Sequence, residues 1–236
     1  MITITNEDNM ELMARYPDKY FDLAIVDPEY GMNSSKPSLK PSTILQSNGS
    51  RLHVKQANYK QKNWDSKPAG AEYFDELLRV SKNQIIWGVN NYDYIFPSKG
   101  RIVWDKLNGS TDQYGCEIAY CSLNNRTDIV YYMWNGMMQG VYCGIDVRKA
   151  LIQQGNKALN EKRIHPTQKP VPIYKWLLMN YAKPGFKILD THRGSGSLDI
   201  ACHDLGFDLV TCEKEKDYFD DANARLEQHQ SQLLLF

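Results

Sequence analysis

Short runs rich in β-branched and aromatic residues alternate along this chain with longer segments of helical period, and few architectures accept that alternation. The β-rich runs fall at 21–26, 84–89, 101–104, 117–122, 128–133, 187–190 and 208–212, and helical patterns fit at 7–16, 71–82, 172–182, 198–205 and 217–230. A strand followed by a helix and then by another strand returns the chain across the same sheet. The expected fold is therefore α/β, a doubly wound, mostly parallel sheet covered by helices on both faces. One core of this kind accommodates 236 residues of which 42% are apolar, so a single domain is expected over 1–236.

Composition removes several classes. Basic and acidic residues balance at 28 each, so a surface for nucleic acid must come from local clustering of charge. The five cysteines, Cys116, Cys121, Cys143, Cys202 and Cys212, form no C-x-x-C pair, which points to reduced thiols and to no zinc or other metal site. The polar start and the lack of an apolar run near the roughly 18 residues of a membrane span indicate a soluble, cytoplasmic protein with no membrane partner.

Two stretches break the alternation. In 33–68 the cations Lys36, Lys40, Arg51, Lys55, Lys60, Lys62 and Lys67 stand against Asp65 alone, with His53, Tyr59 and Trp64 interleaved. Cations with aromatics suit phosphate neutralisation and base stacking, so Arg51, Lys55, Lys60 and Lys62 are candidate contacts to double-stranded DNA. The other reading is a solvated loop. The second stretch, 124–163, reads as a recognition insert or as an irregular edge hairpin.

Lys187-Ile188-Leu189-Asp190 reads as a buried strand, and Thr191 to Ser197, with Gly194, Ser195 and Gly196, as a tight turn opening a helix. Such a turn lets a ligand approach the backbone. A dinucleotide fingerprint would need a third glycine where Asp199 stands, which disfavours a nicotinamide enzyme. Asp190 and Glu213, each at a strand end, would offer carboxylates to an amine and to ribose hydroxyls, the two demands of S-adenosylmethionine. A plain glycine turn of an unrelated α/β protein remains the alternative. Because Asp190 lies late, most of the sheet must precede it, and the loop expected to face this turn is the one after 22–26.

That loop is Asp27-Pro28-Glu29-Tyr30-Gly31. An aromatic amine is a poor nucleophile because its lone pair is delocalised. A carboxylate (Asp27) and a backbone carbonyl (Pro28) that accept its two N–H groups would localise that pair and stabilise the charge developing on nitrogen. Tyr30 would stack on a base flipped from the duplex. Asp, Pro and Gly also favour turns for purely local reasons, so the loop alone has an ordinary reading.

Taken together, these residues resemble the β-class amino-group DNA methyltransferases (N6-adenine/N4-cytosine), in which the catalytic motif precedes the cofactor motif. Residues 22–31 resemble a strand plus D-P-P-Y-G. Trp104-Asp105-Lys106 with Glu117 is similar to a W-x-K…E segment, and His165-Pro166-Thr167-Gln168-Lys169-Pro170 matches H-P-T-x-K-P. The resemblance implies a Rossmann-like, S-adenosylmethionine-dependent methyltransferase fold with permuted motif order, in a bacterial or phage-encoded protein of the restriction-modification type. It implies that Asp8, Thr167, Gln168, Lys169, Asp190, Thr191, Gly194, Ser195, Gly196 and Glu213 hold the cofactor while Asp27, Pro28 and Tyr30 act on the base. Asp at the first catalytic position favours adenine N6, with cytosine N4 the alternative. Four departures stand out: Glu29 replaces the second proline, Thr191 a proline, His192 a phenylalanine and Arg193 a small or apolar residue. They leave open a catalytically weakened DNA-binding homologue. A homodimer is a further reading, as is docking on a sliding clamp through the terminal peptide Gln232 to Phe236, which reads equally as the buried end of the last helix.

Overall fold

A computed structural model describes residues 1–32, 43–45, 49–53, 62–108, 115–135, 138–142, 150–152 and 160–232. In chain order the elements are β1 (Ile2–Thr5), α1 (Asn9–Ala14), β2 (Phe21–Val26), β3 (Thr43–Leu45), β4 (Arg51–His53), α2 (Ala71–Val80), β5 (Ser81–Trp87), β6 (Gly100–Asp105), β7 (Cys116–Cys121), β8 (Thr127–Asn135), β9 (Met138–Tyr142), β10 (Ala150–Ile152), α3 (Val171–Tyr181), β11 (Lys187–Asp190), α4 (Ser197–Leu205), β12 (Asp208–Cys212) and α5 (Lys216–Gln230). Ten strands form one sheet in the order β1-β12-β11-β2-β5-β7-β6-β8-β9-β10, and β3 and β4 form a separate antiparallel pair. The sheet is parallel from β1 through β5 and again at β6/β8. It is antiparallel at β5/β7, β6/β7, β8/β9 and β9/β10.

The apolar residues explain the two helical layers. Along β2, Phe21, Ala24 and Val26 join a core with Leu12 and Met13 of α1 and Tyr73, Phe74, Leu77 and Val80 of α2. Leu23 and Ile25 of the same strand join the opposite core, with Ile173, Leu177 and Leu178 of α3, Leu198, Ala201 and Cys202 of α4, and Leu226 of α5. A strand buried on both faces needs such a continuous apolar run, which is why 21–26 could be read as central. From β11 the chain passes through α4 to β12, toward one edge of the sheet. From β2 it passes through α2 to β5, toward the other. The order therefore reverses between β11 and β2, which pair in parallel at Ile188/Leu23 and Leu189/Ala24. Beyond the carboxyl ends of these two strands a crevice opens.

The expected doubly wound α/β fold is borne out. Several boundaries move: α2 stops at Val80, since Ser81 is already extended and begins β5, where the helical reading had run to residue 82. The alternating Ile2-Thr3-Ile4-Thr5 forms an unexpected edge strand, with Ile2 and Ile4 packed on the core. Within 124–163, β8, β9 and β10 extend the sheet on one side, with β10 at its edge. Among the described residues Cys116, Cys121, Cys202 and Cys212 are free thiols, and no helix is long and apolar enough to cross a membrane.

Candidate active site

The turn after β2 and the turn after β11 meet. Asp27, Glu29, Asp190's neighbours Thr191 and His192, and Gly194 line one cleft with about 830 Å³ of empty space, partly open to solvent, together with Asp8, Thr167, Gln168, Lys169, Ser195 and Glu213. The two turns touch directly, His192 Nε2 lying 3.3 Å from Glu29 Oε2.

Asp27 sits in a charged cluster. Its carboxylate accepts from the Tyr30 hydroxyl and, at 2.5 Å, from Lys169 Nζ. Lys169 is 4% exposed, reaches Glu117 at 2.9 Å, and lies over the rings of Trp87 and Tyr30. Lys106 holds the other oxygen of Glu117 at 2.5 Å. Burial opposes the charge on Lys169, but Asp27 and Glu117 outweigh it and raise the ammonium's pKa. Glu117 is likewise penalised by burial, yet Lys169 and Lys106 bring its pKa below the ordinary value. The H-P-T-x-K-P lysine, expected at the cofactor, thus touches the Asp27 carboxylate. The Pro28 carbonyl accepts from Tyr92 Oη at 3.0 Å, which uses one of its two lone pairs.

The glycine turn is built locally. Gly194 and Gly196 have φ of +51° and +69°, and at Gly196 a side chain would also run into Asp199 Oδ2 at 2.8 Å. Arg193 Nε donates to Asp199 at 2.7 Å, both side chains being fully buried, so the residue that broke the dinucleotide pattern ties the turn to α4. Glu213 accepts the backbone N–H groups of Gly194 (2.9 Å) and Glu215 (2.8 Å). Asp190 accepts the His192 N–H at 3.0 Å and has no lysine or arginine partner among the described residues; burial pushes its carboxyl up to about 7. Asp8 caps α1 through the Met10 N–H and pairs with Lys214 at 2.9 Å. Thr191 bonds Tyr73 Oη at 2.7 Å, and Ser195 Oγ bonds Ser197 Oγ at 3.1 Å. The H-P-T-x-K-P turn closes the cleft opposite. Thr167 Oγ1 meets His165 Nδ1 at 3.1 Å, Gln168 accepts from Trp134 Nε1 at 3.0 Å, and His165, packed between Trp64 and Tyr218, is pushed by burial down to about 3.

A family model described as DNA methylase, for N6 and N4 enzymes, matches residues 99–224, more than half of the chain. This chain belongs to the N6/N4 DNA methylase family. The matched span takes in the H-P-T-x-K-P turn and the glycine turn, so in this methylase the Asp27 loop is placed by geometry. The type II methyltransferase M.HinfI of Haemophilus influenzae is 22% identical over 254 residues, covering 95% of the methylase and 68% of the relative. The type II methyltransferase M.HpaI of Haemophilus parainfluenzae is 32% identical over 66 residues, 28% of the methylase and 21% of the relative. Two solved structures share the fold. The M1.HpyAVI–SAM complex has a TM-score of 0.51 at 20% identity, covering 95% of the methylase and 100% of that chain. The PvuII DNA methyltransferase, described as cytosine-N4-specific, has 0.52 at 9% identity, covering 100% and 88%.

Several residues that shape the methylase site escaped the sequence reading. Asp65, 2% exposed, accepts the N–H groups of Tyr30 (3.0 Å) and Gly31 (2.7 Å), while Ala69 N donates to the Glu29 carbonyl at 3.1 Å. As the lone acid in a run of cations, Asp65 did carry a signal. Gly88, with φ of +72°, leaves room for Tyr30, whose ring would lie 2.1 Å from a Cβ there. Tyr92 and Gly88 follow β5 and bear no motif. Of the expected DNA contacts, Arg51 is exposed on β4, and Lys55 and Lys60 lie outside the described residues, as does the terminal 233–236. Lys62 is engaged within the protein instead. It pairs with Glu215 at 2.6 Å and with Asp217, and lies over the Tyr218 ring. One His/Asp/His group, His203, Asp204 and His229, comes within 4.8 Å among the described residues, where Lys175 also holds Asp204 at 2.6 Å.

Proposed function

We propose that this family member transfers a methyl group from S-adenosylmethionine to the exocyclic amine of a base in double-stranded DNA, adenine N6 in preference to cytosine N4. One observation carries the reading: the acidic turn after β2 and the glycine turn after β11 end side by side over one cleft. The residues fit the cofactor. Asp190 is a buried carboxylate without a lysine or arginine partner among the described residues, suited to an ammonium group, and Glu213 lies against the glycine backbone where ribose hydroxyls would approach. When bound, S-adenosylmethionine supplies the methyl as an electrophilic carbon on a sulfonium.

The chain's own groups do the rest. Asp27 accepts one N–H of the target amine, a carboxylate having capacity beyond its bonds to Tyr30 and Lys169, and the free lone pair of the Pro28 carbonyl accepts the other. Lys169 sets the carboxylate's orientation through two anchored partners, so little reorganisation is left for the moment of reaction. Arg51 is a DNA phosphate contact in this reading. The preference for adenine rests on aspartate at the first position of the loop, and the cytosine-N4-specific PvuII fold relative makes the other amine the competing product.

Incubation with labelled S-adenosylmethionine and unmethylated DNA, followed by nucleoside analysis, tests this. N6-methyladenine is expected, and Asp27→Asn should lower the rate by about 10²–10³-fold while changing cofactor affinity far less. N4-methylcytosine would overturn the base assignment, and cofactor binding without any transfer would favour the weakened homologue.

A further inference from the structure

Both unusual side chains at this site, Glu29 and His192, were read separately as departures, and the fold brings them together. Glu29 Oε2 and His192 Nε2 are 3.3 Å apart in the wall of the cleft, the imidazole largely shielded from solvent and the carboxylate half-buried. The imidazole has further neighbours: the Asn9 side-chain amide lies 2.9 Å from the same Nε2, where its oxygen, turned inward, shares the proton directed at Glu29, while Thr191 Oγ1 lies 3.0 Å from Nδ1 and Tyr73 packs edge-on with ring centres 5.1 Å apart. Glu29 is fixed by its backbone, whose carbonyl accepts from Ala69.

We propose that Glu29 and His192 act as a positioning pair, an ionic strut between the base-binding turn and the cofactor turn that takes the place of the proline and phenylalanine of the resembling family. The proposal rests on the function above, because the strut matters only if base and cofactor meet between these turns. A half-buried carboxylate alone would repel DNA phosphate and lose part of its hydration, and a shielded imidazole alone would be neutral. Together each compensates the other, so the two substitutions are tolerated as a pair.

The charges around the pair set its pH window. Facing it are Asp190 on the same turn, Glu213 and Lys214 after β12, Asp8 at the cap of α1 and Tyr73 on α2. Burial works to discharge His192, but Glu29 foremost, then Asp190 and Glu213, raise its pKa; burial works to protonate Glu29, but His192 and then Lys214 lower its pKa. The ionic form therefore holds between the lowered carboxyl and the raised imidazole, and is lost on the alkaline side as pH rises through the His192 value.

The test is a double-mutant cycle read as a pH profile on the full chain. Glu29→Pro and His192→Phe should each lower kcat/KM by about tenfold, the double variant should recover most of that loss, and the alkaline fall of the parent should flatten in the double variant. Imidazole NMR should show His192 titrating above an ordinary histidine, and shifting down in Glu29→Gln. Losses that simply add, or a His192 titration unmoved by Glu29→Gln, would overturn the pair. A parent that neither binds S-adenosylmethionine nor transfers methyl would instead overturn the function, while the NMR titration would still report on the strut.

Discussion

The two turns that form the cleft are held in opposite ways. The backbone of the glycine turn is secured largely by near neighbours, Arg193 to Asp199 on the following helix, Gly196 N–H to the Arg193 carbonyl and Gly194 N–H to Glu213 one strand later, with Tyr73 on Thr191 and Arg225 on the Ser195 carbonyl added from farther along the chain. The acidic turn is secured by residues far along the chain, with Asp65 on its amides, Tyr92 on its carbonyl, Lys169 on its carboxylate and Gly88 under its tyrosine. A locally held turn can persist in any protein that keeps its strand and helix. A turn held from four directions exists only when the whole domain is assembled, which ties the geometry of this turn to global folding.

The sharpest way to break this contrast is at Arg193. Arg193→Met leaves Asp199 buried without its partner, and chemical denaturation should show a loss of about 3–5 kcal/mol. Stability close to that of the parent would mean that the ion pair does not hold the turn.

Asp65 probes the other side. Asp65→Ala removes the acceptor of the Tyr30 and Gly31 amides, which should cost about 1–3 kcal/mol of stability. The rate of transfer should fall through kcat more than through cofactor affinity. An equal fall in cofactor affinity would show that the acidic turn and the glycine turn are not separately supported.

A pH-dependent effect concerns Asp190, whose carboxyl burial raises to about 7, with Asp199 and Asp27 adding to it and the His192 amide and imidazole opposing. Between about pH 4, where the unfolded carboxyl titrates, and 7, the folded ligand-free protein keeps a proton that the unfolded chain has released. Stability should therefore decline as pH rises across that window, by on the order of 1.4 kcal/mol for each unit that the shift spans. Binding of a cationic amine requires the ionised form, so S-adenosylmethionine affinity should rise toward pH 7 and binding near pH 6 should release a proton. Calorimetry in buffers of different ionisation enthalpy reads that proton, and none released would remove Asp190 from the ammonium site.

Much of this protein was legible from its sequence, for a reason that the two turns make plain. Strand, turn and helix around Asp190 follow from adjacent residues, and so do the apolar run before Asp27 and the α/β alternation, because hydrophobic period and backbone sterics act over a few positions. The β1 edge strand was missed because four residues carry too little periodicity, and α2 was extended past Val80 because nothing local marks an immediate switch from helix to strand. Tertiary structure alone decided that Lys169 belongs to Asp27, that Asp65 clasps the turn, that Lys62 is paired within the chain, and that Glu29 meets His192. Charge pairing acts through space between residues far apart in the chain, so the sequence names the charges while only the folded sheet determines which of them meet.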